Sequence, residues 1–317
     1  MDKKRTKIAC ILNSANGDTL GRNVDRLWKE ADTEILIMDN NSKDSTKKVL
    51  DKWCLPENFP RLRAWRWKKI KGSSENRNFM LKQSAARYIL FLDSDILYVP
   101  GSFDYLMKRL DNSPKEMKCI GFTPSNYTDR EEDSATELPK IDEPLITKGQ
   151  PLALTQYGVF KREIFTTYHF KFDEKFETGY GYEDNDLALQ MLGRGLKCAS
   201  VPLKYFHNKN NKFWWALHTP EFMRIDERQK YFIKKWGVAT YKKYYDMKPR
   251  VSYDKTVTTK LLEGGSQEDL SHLPEEKREE IENFLKVLEV YREKNPSKYE
   301  EKKKEAVIKL NKIIYGL

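Results

Sequence analysis

Five short polar stretches carry residue types that could do chemistry: Asp39-Asn-Asn-Ser-Lys-Asp-Ser-Thr46, Asn76-Arg-Asn78, Asp93-Ser-Asp95, Glu183-Asp-Asn-Asp186 and the lone His207. The sharpest is Asp93-Ser-Asp95, because it follows an unbroken apolar run, Tyr88-Ile-Leu-Phe-Leu92. A short continuous apolar run reads as a strand buried on both faces. In an open α/β sheet such strands carry their chemistry at the carboxyl end, where the loops form the ligand crevice. Two carboxylates spaced i, i+2 at that mouth repel each other unless a cation lies between them, and a divalent ion is the natural one. The alternative is a helix cap beside a solvated acid. The other stretches are weaker alone: an Asp before a helix is more often a cap than a base, and a His among aromatics is more often structural than a ligand.

The elements that must position these residues follow from periodicity. Residues 7–12 and 34–38 read as strands, each ending in a polar loop, and residues 20–30 as the helix between them. Asp44 is placed to cap a helix that buries Val49, Leu50 and Trp53. A third strand lies within residues 61–67, a helix covers 74–86, and the strand beginning at Tyr88 follows. Strand–helix alternation with short loops predicts a parallel, doubly wound sheet. Further on, the spacing predicts a helix over 102–110, strands over 119–123, 151–159 and 196–201, a short helix over 163–167, and a helix opened by Glu183-Asp-Asn-Asp186. Residues 125–149 are polar and acidic, and a loop of that length reads as a mobile flap on the acceptor side. Residues 275–294 and 298–314 have helical spacing, which predicts a helical hairpin across Asn295-Pro-Ser297. The chain therefore divides into a sheet domain, 1–245, and a helical C-terminal appendage, 246–317.

Composition narrows the partners. The chain has 317 residues and a net charge of +10, and no apolar run long enough to span a membrane. Residues 246–317 hold 15 Lys/Arg and 15 Asp/Glu, so the whole excess sits in the first 245 residues. A nucleoside diphosphate, an acidic glycan, a membrane surface or nucleic acid each suits such an excess. Cys10, Cys54, Cys119 and Cys198 lack metal-ligand spacing and read as reduced thiols, which points to a cytoplasmic protein, free or peripheral at a membrane.

The order of the polar stretches resembles the family 2 nucleotide-sugar glycosyltransferases and their GT-A relatives. Met38-Asp-Asn-Asn-Ser-Lys-Asp-Ser-Thr46 is similar to that family's Val-Asp-Asn-Asn-Ser-Thr-Asp-Gly-Thr segment, Glu75-Asn-Arg-Asn78 to its Ala-Arg-Asn turn, and Leu92-Asp-Ser-Asp95 to its Asp-x-Asp element. Phe172-Asp-Glu-Lys-Phe176 with Gly181-Tyr-Glu-Asp-Asn-Asp-Leu187 resembles its acceptor-side Glu-Asp element, and also a galactosyltransferase segment. Tyr231-Phe-Ile-Lys-Lys-Trp-Gly237 resembles its closing Lys-Trp-Gly. The resemblance covers about residues 7–237 and implies a GT-A fold, a Rossmann-like, mostly parallel mixed sheet with helices on both faces.

The resemblance also implies roles. Asn13, Asp39, Arg77, Asp93 and Ser94 would bind the donor, with Asp39 toward the nucleobase and Asp93 toward the ribose or donor sugar, or reaching the metal through water. Asp95, with His207 as a further ligand, would hold Mn2+ or Mg2+ against the diphosphate. Asp184 would be the general base of an inverting transfer from a nucleotide-diphosphate sugar, a UDP-sugar first, and Glu183 would hold an acceptor hydroxyl. Asp186 is the alternative base. A helix N-terminus favours ionised Asp184 and so a weaker base. The acceptor would be a glycan or a lipid-linked glycan. A hydroxymethylated DNA base is the second candidate, because residues 61–71 interleave basic side chains with Trp65 and Trp67. A non-enzymatic nucleic-acid-binding protein is the third reading. A nucleotidyltransferase would want Lys or Arg in a Gly-rich loop after the first strand, and residues 13–18 have neither.

Overall fold

A computed structural model describes residues 6–13, 16–124, 126–146, 154–176, 181–208, 225–244 and 275–299, together with 302, 303, 306 and 310. The chain divides into two compact units, Met1–Tyr245 and Asp246–Leu317.

The first unit is a seven-stranded sheet in the order β3-β2-β1-β4-β7-β5-β8. Its strands are β1 (Lys7–Asn13), β2 (Thr33–Asp39), β3 (Leu62–Arg66), β4 (Tyr88–Asp93), β5 (Met117–Phe122), β7 (Tyr157–Lys161) and β8 (Lys197–Val201). The short β6 (Tyr127–Thr128) and β9 (Tyr205–Phe206) pair separately, in parallel. β1, β2, β3 and β4 run parallel, as do β5 and β8, while β7 lies antiparallel between β4 and β5. The expected strand over 151–159 thus starts later, and it enters the sheet in reverse.

Side-chain alternation explains why the sheet is covered on both sides. Ala9, Ile11, Ile35, Ile37, Leu90 and Leu92 point to one face, where they meet α1 (Gly17–Trp28), α2 (Thr46–Trp53) and α4 (Ser102–Asp111). Ile8, Cys10, Leu36, Met38, Ile89 and Phe91 point to the other, against α3 (Ser73–Lys82), α5 (Glu163–Thr166) and α6 (Glu183–Leu192). Strands apolar at every position can only sit between two helix layers. Phe91 anchors the second layer, with edge-on contacts to Phe160 at 5.3 Å and Phe172 at 5.6 Å between ring centroids. Truncating it to Ala should cost about 3–5 kcal/mol.

Two helices, α7 (Ile225–Trp236) and α8 (Val238–Tyr244), complete this unit. Of the loop expected over 125–149, residues 126–146 are described, and they make contacts to the sheet domain. Arg22 pairs with Glu131, Ala135 N–H donates to Lys204 O at 2.6 Å, and Ile146 bridges to Ser200. In the second unit, α9 (Glu275–Lys294) buries Ile281 and Leu288. A turn at Pro296–Lys298 follows, and Lys302 Nζ lies 5.9 Å from the Tyr291 ring. Most of the expected second helix, 298–314, lies outside the described residues. No described helix is long and apolar enough to cross a membrane.

Candidate active site

Strand order reverses between β1 and β4, so their carboxyl ends splay into a crevice. Register brings the polar stretches to this one end: Asn13 lies beside Asp39, and Leu12 beside Asp93. Because β7 is antiparallel, the residues before it also arrive here, and Asp93 N–H donates to Gln156 O at 3.0 Å.

The turn after β4 is locked from several sides. Asn23 on α1 donates to Ile96 O and accepts from Tyr98 N–H, both at 2.8 Å. His207 forms an antiparallel bridge with Ile96, and Asn208 N–H donates to Asp95 O at 2.7 Å. These backbone bonds set His207 Nε2 3.1 Å from Asp95 Oδ2. Ser94 is buried, and its N–H donates to Leu12 O at 3.2 Å.

The Asp95–His207 pair has donor chemistry and spacing compatible with a hard divalent ion. Adjacent donors about 2.0–2.1 Å from an octahedral ion stand roughly 3 Å apart, which the pair already matches. In the hydrogen bond to Asp95 the proton sits on His207 Nε2, and Nδ1, buried with no hydrogen-bond partner among the described residues, can take that proton when Nε2 acts as a ligand. Among the described residues no three His, Cys, Asp or Glu side chains gather into a cage. Oxygens of a bound ligand or of water would have to complete the shell.

Across the crevice, Arg77 joins three carboxylates. Its Nη2 lies 3.4 Å from Asp93 Oδ1, and its Nη1 lies 3.2 Å from Glu183 Oε1 and 3.4 Å from Asp184 Oδ1. The guanidinium is 4% exposed and sits 5.5 Å from the Phe172 ring centroid. Burial works against its charge, but the three carboxylates outweigh burial and raise its pKa. The flanking residues of this turn build rather than react. Asn76 accepts from Trp67 Nε1 and donates to Gly72 O, and Asn78 holds the Phe172 backbone through both its amide oxygen and nitrogen.

The two acids opening α6 have different surroundings. Glu183 is buried. It accepts from Ser73 Oγ at 2.7 Å, and Arg228 Nη2 lies 3.7 Å from its second oxygen. Burial alone would raise its pKa, but Arg228 and Arg77 hold it below the usual value. Asp184 is 23% exposed and accepts from Thr155 Oγ1. Burial pushes its pKa up to about 7, against the pull of Arg77 and with a push from Glu183. Burial is the largest of these causes. Asp93 also stands well above the usual carboxylate value, through burial opposed by Arg77 and reinforced by Asp95.

Asp186 is fully buried, with Lys235 Nζ, Trp236 Nε1 and Gln190 Nε2 all at 2.7 Å from its carboxylate. It ties α7 to α6 and does not face the crevice. Asp39 is likewise fully buried. It accepts from Ser42 N–H at 3.0 Å and pairs with Arg66 Nε at 3.1 Å. Asp44 caps two helices: Oδ1 takes Thr46 N–H at 3.1 Å, and Oδ2 takes Gly17 N–H at 2.7 Å. Only the backbone of Asn13 is described.

Four residues of the site carry no signal in the sequence. Ser73 and Thr155 are isolated hydroxyls, and Arg228 is one of many basic residues in its stretch. Lys235 lies inside the recognised Lys-Trp-Gly segment, but nothing there marks it as the bridge between Asp173 and Asp186, each at 2.7 Å.

The model of glycosyl transferase family 2 matches residues 8–175, more than half of the chain. No curated protein matches. Solved structures similar to the chain include a mannosyltransferase from Pyrobaculum calidifontis in complex with GDP-Man and Mn2+, at 14% identity over 96% of this chain and 86% of that one, with a TM-score of 0.48. Another is residues 1–349 of TarS from S. aureus in complex with UDP-GlcNAc, at 13% identity over 81% of this chain and 80% of that one, with a TM-score of 0.46. A mostly parallel sheet with helices on both faces, polar residues gathered at the carboxyl ends of β1, β2 and β4, and the family match give one result: the chain belongs to glycosyl transferase family 2 and is a glycosyltransferase.

Proposed function

We propose that the protein moves a sugar from a nucleoside-diphosphate donor, a UDP-sugar first among them, to an acceptor hydroxyl with inversion, using Mn2+ or Mg2+. The observation that carries this reading is the division of the crevice: the Asp95–His207 pair stands on one side, and Asp184, oriented by Thr155 and Arg77, on the other. Asp95 and His207 would hold the ion, which when bound supplies charge neutralisation for the departing diphosphate.

The remaining chemistry belongs to the chain. Asp93, 34% exposed, faces the donor ribose or sugar. Asn13, Ser94 and Asp39 form the donor-side wall, with Asp39 acting through Ser42 and Arg66. Asp184 takes the acceptor proton as the acceptor oxygen attacks the anomeric carbon. The carbon–oxygen bond to the diphosphate breaks on the opposite face, and its electron pair leaves with the nucleoside diphosphate. A base near pKa 7 is matched to this task. Glu183 acts by fixing Arg77 and Arg228. Residues 1–245 are the catalytic unit and 246–317 an appendage.

A glycan or lipid-linked glycan is the acceptor this reading favours over a modified DNA base. Four of the six basic residues of the 61–71 stretch are paired within the protein, while Lys68 and Lys69 are exposed. Arg61 donates to Glu30 O at 2.6 Å, Arg63 pairs with Glu34, Arg66 with Asp39, and Lys71 with Glu75. Melting in the presence of UDP, GDP or dTDP with Mn2+ tests the proposal. One nucleotide should raise Tm only with metal, Asp95→Ala should lose that rise, and Asp184→Asn should keep it while losing transfer. No rise with any nucleotide would refute donor binding.

A further inference from the structure

Arg228 is the largest buried charge in the site to which the transfer reading gives no role. It lies on α7, after the sheet is complete, and its side chain is 4% exposed. Its Nη2 donates to Phe176 O at 2.9 Å and stands 3.7 Å from Glu183 Oε2, with the guanidinium 5.6 Å from the Phe176 ring centroid. The far end of α7 is fixed independently. Lys235 bridges Asp173 and Asp186, Trp236 donates to Asp186, and Tyr231 OH donates to Asp173, all at 2.7 Å. The helix is thus pinned at both ends to α6 and to the 172–176 segment, and Arg228 has little freedom to move from Glu183.

Glu183 is the link. One oxygen faces Arg228 and the other takes Ser73 and Arg77, and Arg77 in turn holds Asp184 and Asp93. Two cations and three carboxylates share one partly desolvated volume. In such a volume the charge of each member depends on all the others. We infer that Arg228 is a positioning residue for transfer, which by neutralising Glu183 frees Arg77 to hold Asp184 ionised and aimed into the crevice. This rests on Asp184 being the base.

The groups that face Asp184 are Arg77 on α3, Asp93 at the end of β4, Cys119 on β5, Thr155 before β7, Glu183 beside it on α6 and Arg228 on α7. Removing Arg228 takes away the second cation facing Glu183 and leaves Arg77 to compensate all three acids, so the Asp184 proton is held more tightly. Removing the Glu183 charge frees Arg77 and does the reverse. A purely structural Arg228 would weaken the fold without this opposed pair of shifts.

The test needs no substrate. Aspartate carboxyl groups labelled with carbon-13 are titrated by NMR, and the signal missing in Asp184→Asn identifies Asp184. Arg228→Met should raise its midpoint by roughly 0.5–1 pH unit, Glu183→Gln should lower it, and Arg228→Lys should return it toward the parent value. Arg228→Gln, which can still donate to Phe176 O, serves if the Met variant does not fold. An unmoved midpoint in the Met or Gln variant, or shifts of the same sign for Arg228 and Glu183 variants, overturns the inference. Turnover by Asp184→Asn would instead sink the base assignment, and it leaves the titration result readable by itself.

Discussion

Replacing Arg77 with methionine removes the cation shared by three acids while keeping an apolar stem against Phe172. The guanidinium and the Glu183 carboxylate are 4% and 5% exposed, so solvent screens them little. Breaking a buried ion pair by deleting one partner costs about 3–5 kcal/mol, because the remaining charge is left uncompensated. For a unit of this size that is a fall in Tm of roughly 6–20 °C. The loss should depend on pH, with a definite sign. Asp93 and Asp184 already stand above their unfolded values, and without Arg77 they rise further. A carboxyl whose folded pKa is raised gives stability that is full below its unfolded pKa and is lost as pH rises through the folded one. Glu183, which Arg77 helps hold below its usual value, already contributes near pH 5, so the gap between parent and variant should be present there and widen toward pH 8 as Asp93 and Asp184 ionise. Thermal melts from pH 5 to 8, with Arg77→Lys alongside as a partial rescue, measure it. A gap equal at both ends of that range, or none at pH 8, would refute the claim that Arg77 works by charge compensation.

Other expectations follow from the same geometry. With Asp184 near pKa 7 as base, turnover under saturating donor should rise about tenfold from pH 6 to 8; a carboxylate at its ordinary value would give a flat profile, and that result would exclude Asp184 as the titrating base. Gly17→Ala should be destabilising by about 1–3 kcal/mol, because a Cβ there would stand 2.5 Å from Thr46 N and Ser45 Oγ where α1 meets α2. Gly21→Ala, with only Val49 at 3.5 Å, is the control and should be neutral or mildly stabilising in urea titrations.

Much of the sheet domain's first half was legible because β1, β2 and β4 carry unbroken apolar runs and α1 and α2 are amphipathic. Both patterns report burial directly. The reversal of β7 was not legible, because strand direction leaves no mark on a five-residue strand such as Tyr157–Lys161; pairing partners decide it. Composition marked residues 125–149 as an acidic loop but not where its side chains would bind. Acidic side chains such as Glu131 find partners on α1 that are remote in sequence. Among the acids of α6, the sequence offered Asp184 and Asp186 as bases. Only packing separates them, since Lys235 and Trp236 bury one and the crevice receives the other.

By itself, the order of chemical groups in the sequence determined the family and which strand ends would carry chemistry, because a buried strand must put its polar residues beyond its end. The tertiary structure decided what each group is bound to. It brought Thr155 to Asp184 by reversing β7, set His207 against Asp95 through the Ile96 bridge, and placed Arg228 behind Glu183 by docking α7. Charge state and aim depend on neighbours in space, and none of those three contacts joins residues near each other in the chain.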